Sequence, residues 1–162
     1  MTAGTSSGTA VVTLPTDTQI LITREFGAPR HLVYRAWTTP ELVRRWWYAE
    51  RGEMTAAEID LRVGGSWRFV MVTPSGVEVA FHGEYREIVP DERLVWTEIY
   101  EAVPEAESLQ TMTLTERDGR TTMTVLAEHA NRSDRDAVIA SGMEDGLQDA
   151  LNLLERVAVS LR

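Results

Sequence analysis

The sequence predicts an α+β domain in which a curved, seven-stranded antiparallel sheet packs around one long C-terminal helix, with two short helices after the first strand. Three observations carry this reading. Residues 54 to 129 fall into six strand-like segments separated by short turn signals. Residues 133 to 160 place apolar side chains at helical spacing along one face. Residues 29 to 47 hold two shorter stripes of the same period. Strands joined by short connections are antiparallel, and a sheet of that kind must bury one face, for which the terminal helix is the available cover.

Residues 1 to 17 are rich in Thr, Ser, Gly and Ala without periodicity, and read as a loose tail before a single domain at 18–162. Ile20, Ile22 and Phe26 then alternate over 18–26 as a first strand. Pro29 suits the first turn of one helix, and Thr39 with Pro40 supplies an N-cap and first residue for the next. Leu32, Val33, Ala36 and Trp37 form one stripe, and Leu42, Val43, Trp46 and Trp47 repeat it. The following strands are expected at 54–61, 66–73, 77–89, 92–101, 109–117 and 120–129. Gly64-Gly65, Pro74-Ser75-Gly76, Pro90-Asp91 and Asp118-Gly119 reverse the chain between the pairs that need hairpins. In 77–101 two registers compete, because Phe81 and Tyr85 have the opposite parity to Ala80, His82 and Ile88, and a one-residue slip exchanges the faces. The last helix, capped by Ser133 or Asp134, carries Met143, Leu147, Ala150, Leu151, Leu154, Val157 and Leu161 on its apolar face.

With 162 residues the chain buries enough surface to need neither disulfide nor structural metal, and it contains no cysteine. A net charge of −9 repels phosphate backbones and anionic lipid, so neither nucleic acid nor a membrane is an expected partner. No apolar run exceeds four residues and the first basic residue is Arg24, which points to a cytoplasmic protein. All 16 basic residues are arginine, the mark of a GC-rich, bacterial genome.

The stretches FGAPRHLVYRAWTTPELVRRWW (26–47), DLRVGGSWRF (60–69), HGEYREIVPDERLVW (82–96) and MEDGLQDALNLL (143–154) together resemble the START-like, or SRPBCC, helix-grip superfamily, the architecture of the birch-pollen allergen. Within it they are similar to the bacterial branch related to the activator of the heat-shock-protein-90 ATPase. The resemblance spans residues 20 to 160 and implies a hydrophobic cavity beneath the C-terminal helix. That branch usually has Trp after the glycine matching Gly146; Leu147 stands there in this chain, which implies a larger cavity. The resemblance brings no catalytic motif.

The residues expected to line the cavity are Trp67, Phe69, Met71, Phe81, Tyr85, Trp96, Met112, Leu114, Met123 and Val125 from the strands, facing Met143 and Leu147 from the helix. Methionine is flexible and polarisable and adapts a wall to differing ligands. The expected function is non-enzymatic binding of a small hydrophobic or amphipathic molecule, with no cofactor and no metal: His31 and His129 have no companion at ligand spacing, and Gly64-Gly65 precedes no helix that could cradle phosphate. Two alternatives stand beside it. A cyclase, aromatase or hydrolase would use a polar pair from His82, Glu84, Tyr85, Glu98 and Tyr100 pointing into the cavity. A co-chaperone-like module would stimulate an ATPase, although this chain leaves no room for the further domain of such activators. A homodimer is expected, through a sheet edge or through Trp46 and Trp47. The Arg68, Val70 and Val72 face of its strand needs a cover, from the helix pair or from a partner.

Overall fold

The structure is a computed structural model and describes residues 9–48 and 51–162. Its elements run β1 (Val11–Thr13), β2 (Gln19–Phe26), α1 (Arg30–Thr38), α2 (Pro40–Trp46), β3 (Glu53–Ile59), β4 (Ser66–Val72), β5 (Glu78–Val89), β6 (Arg93–Tyr100), β7 (Glu107–Arg117), β8 (Arg120–His129), α3 (Arg132–Ala140) and α4 (Met143–Ser160). All eight strands form one antiparallel sheet in the order β1-β2-β8-β7-β6-β5-β4-β3. The expected strands are present. None of the helices is long and apolar enough to cross a membrane among the described residues.

Four expectations are corrected. The sheet has eight strands: Val11 to Thr13 pair with Leu21 to Thr23, so part of the predicted tail is an edge strand, while its residues 1–8 lie outside the described residues. The pairing comes from main-chain hydrogen bonds to an exposed edge, which leave no mark in side-chain periodicity. The C-terminal helix is two helices, because Gly142 adopts a left-handed φ of 81° between them. The cap is Asn131, whose Oδ1 accepts from the Asp134 amide at 2.8 Å, in place of Ser133 or Asp134. Finally, Trp46 and Trp47 are 2% and 9% exposed and belong to the core, so neither offers a dimer surface. Trp46 donates its indole N–H to the Ala36 carbonyl at 2.9 Å and meets Trp37 edge-on, locking α1 to α2.

The undecided register resolves through a bulge. Tyr85 pairs with Trp96, yet Glu87 pairs with Val95, so the extra residue Arg86 flips the parity of the rest of β5. Phe81 and Tyr85 therefore share the inner face with Ile88, although they differ in parity. α1 and α2 pack against α4 on the concave side, and so leave the outer face of β4 uncovered by helices. Val70 is still buried there, directly opposite Ala80 across the strand pair. β2 is fastened to α4 by Arg24, which donates to the Glu25 carbonyl and, at 2.9 Å, to Asn152, and pairs with Glu155 at 3.4 Å over the Phe26 ring.

Candidate functional site

Directly paired residues of antiparallel strands share a face. The concave side can therefore be read in rows across the sheet. One row is Ile22, Val125, Met112, Leu94 and Ile88; the next is Ile20, Ala127, Gln110, Trp96 and Tyr85. The third breaks the apolar pattern: Glu98, Ser108 and His129 are paired in it, with the Trp67–Gly83 pair on the strands beyond. In it Glu98 pairs with Ser108, whose side chain is very short. Above lies Tyr48, which follows α2 in a left-handed conformation with φ 48°. Its ring sits so close to α4 that a Cβ on Gly146 would fall 2.8 Å from Cε1. Trp47 anchors this segment on the sheet, meeting Phe69 and Phe81 with centroids 5.4 Å away in each case. Arg51 ties it to α4 through Asp149, at 3.3 Å from Nε and 2.7 Å from Nη2.

Glu98 and Tyr48 are both half-buried. Phe81, Met143 and Leu147 share that intermediate burial. Desolvation raises the Glu98 pKa, countered in part by the Trp96 indole N–H, which donates to its Oε1 at 3.3 Å. Burial first, and the nearby Glu98 second, push the Tyr48 phenol up to about 12. Ser108 accepts from Gln110 Nε2 at 2.9 Å.

Because folding raises the Glu98 pKa, the folded state holds its proton more tightly than the unfolded state. The contribution is fully favourable below the unfolded carboxyl pKa of about 4.3 and is lost as pH rises through the higher folded value. Glu98→Gln should therefore melt together with the unsubstituted protein near pH 4 and above it at pH 8. Melting curves at the two pH values check it; an equal difference at both would contradict it.

Every strand residue expected to line the cavity lies on the concave face. Met112, Leu114 and Met123 are 0–1% exposed and form its packed floor, while Trp67, Phe69, Met71, Tyr85, Trp96 and Val125 are buried with slightly more surface. Of the polar candidates, Glu98 points inward and His82 outward, where Nδ1 lies 2.9 Å from Glu101. Arg68 also grips Glu101, at 2.8 and 3.0 Å, and first this contact and then His82 hold that carboxyl at about 2. Glu84 is exposed and pairs with Arg86. Tyr100 stacks on Phe81 at 5.0 Å. His31 is exposed, and burial lowers the pKa of His129, whose Nε2 is sealed and unpartnered. Sequence reasoning missed Gly83, Ser108 and Gln110 as site residues. Ser108 and Gln110 share parity with Met112 and Leu114, so the polar end of an otherwise apolar strand was the available signal.

Residues 27–158 match the family model described as Activator of Hsp90 ATPase homolog 1-like protein. Among solved structures, a protein from Rhodobacter sphaeroides is 27% identical, with a TM-score of 0.86 over 94% of this chain and 99% of that one. One from Chromobacterium violaceum is 26% identical, with a TM-score of 0.74 over 88% and 98%. The Mycobacterium smegmatis protein Ms6760 shares the fold at 24% identity and a TM-score of 0.81, over 91% and 96%. No curated protein matches the sequence.

Proposed function

The chain belongs to the family of activator of Hsp90 ATPase homolog 1-like proteins, with the START-like helix-grip fold, and from that premise we propose that it binds a small amphipathic molecule in the recess between sheet and α4. One observation carries the reading: Glu98, beside the short side chain of Ser108, is a half-buried carboxyl group on the otherwise apolar concave face, with no ion-pair partner among the described residues. Ligand sites of this kind are mostly apolar with a few convergent polar groups. The apolar part of the ligand lies against Phe81, Met143 and Leu147, and the polar part reaches Glu98, Tyr48 and the Trp96 indole.

Catalysis is the weaker reading. Among the described residues no imidazole stands beside Glu98, since His82 is on the opposite face and the His129 nitrogen is sealed. Native mass spectrometry of protein purified without detergent should show an adduct of a few hundred daltons that organic extraction removes. A bare mass, together with failure to take up any added apolar probe, would overturn the proposal.

A further inference from the structure

We propose that the recess selects an amphiphile with a cationic amine at its polar end, the ammonium seated against Glu98. This rests on the reading that the recess binds a ligand at all, and it names the ligand's chemistry.

Enclosed charge elsewhere in the protein is matched by protein. Arg24 has Asn152 and Glu155, and Arg135 donates to the Thr16 carbonyl at 2.7 Å and pairs with Asp136 at 2.9 Å. Glu98 has a single hydrogen bond, from the Trp96 indole at 3.3 Å, and no ion-pair partner among the described residues. The nearest guanidinium identified by its influence on this region, Arg51, is held by Asp149. An enclosed carboxylate without a counter-charge is costly, and a ligand cation removes that cost. The surroundings favour a cation further. Trp96 and Tyr48 place aromatic side chains beside Glu98. The chain's −9 charge draws cations and repels anionic amphiphiles. A fatty acid would bring a second carboxylate to Glu98, and one of the two would have to take up a proton.

The groups facing Glu98 come from four sides. Trp96 and Tyr100 flank it on β6, Ser108 and Gln110 stand on β7 with His129 beyond them, Tyr48 and Arg51 belong to the segment after α2, and Asp145 and Asp149 lie on α4 beside Arg51. None of these is a cation left over for Glu98 once Arg51 is paired.

The test uses three ligands with the same eight-carbon chain, octylamine, octanol and octanoate, each displacing the fluorescent probe N-phenyl-1-naphthylamine from the full chain. At pH 7.5 octylamine should displace at a concentration at least about tenfold below octanol, with octanoate weakest. Glu98→Gln should collapse the amine-to-alcohol ratio to below about threefold. In the unsubstituted protein the same ratio should be smaller at acidic than at alkaline pH, because Glu98 is a carboxylate only above its raised pKa, a readout that does not depend on the variant. Equal displacement by amine and alcohol, tighter octanoate, or an unchanged ratio in Glu98→Gln would overturn the amine assignment while leaving the binding site standing. A probe that neither binds nor is displaced by any of the three would overturn the binding reading itself.

Discussion

Gly83→Ala lowers the melting temperature by roughly 10 °C or more, the consequence of a loss of about 3–5 kcal/mol in a chain of this length. An added Cβ would lie 1.7 Å from the Thr97 carbonyl oxygen and 2.7 Å from the Trp67 indole nitrogen. The first of these atoms is backbone, so no rotamer change relieves the overlap, and β5 must separate from β6. That separation would also cost the hydrogen bonds that cross the same point: Trp67 donates its indole N–H to the Thr97 carbonyl at 3.2 Å, and the Glu84 amide donates to the Thr97 hydroxyl at 3.0 Å. Gly27→Ala is the control, because its Cβ would meet Glu155 at an ordinary 3.4 Å. Thermal unfolding of both variants checks the prediction. Adding Trp67→Phe should not rescue Gly83→Ala, since the carbonyl contact remains. A Gly83→Ala protein melting within 2 °C of the unsubstituted one would contradict this account of the close approach of β5 and β6.

Gly83 also shows why the site was less legible than the fold. Periodicity and turn chemistry located the strands well because each signal is local: Asp118-Gly119 does reverse the chain, with both residues at positive φ. The inward face of β4, β7 and β8 followed from alternation alone. The failures came where two strands had to be known together. A glycine inside β5 reads as a weak strand residue until Thr97 and Trp67 are found against it. The Arg86 bulge is likewise invisible in one strand, since two residues opposing one is a property of the pair. Whether Glu98 or His82 pointed inward depended on that pairing. The break at Gly142 was accessible, because Ser141-Gly142 interrupts a stripe otherwise continuous from Val138 to Leu161, but the apolar period on both sides outweighed it. Trp46, Trp47 and Tyr48 carried no sign of which partner they would find; packing against Phe69, Phe81 and Gly146 is tertiary information.

The measurement that tests the recess most directly fills it. Leu147 lies on the first turns of α4, partly buried against the core, one residue beyond the glycine that Tyr48 covers. The family resemblance leads one to expect tryptophan at this position, so the fold tolerates that side chain, and Leu147→Trp should occupy the space next to Glu98 while leaving the sheet and the Arg24–Glu155 fastening untouched. Titration of N-phenyl-1-naphthylamine into Leu147→Trp should show affinity reduced about tenfold or more, with a melting temperature equal to or above that of the unsubstituted protein. A folded Leu147→Trp protein that binds the probe as tightly as before would contradict the placement of the ligand between the sheet and α4.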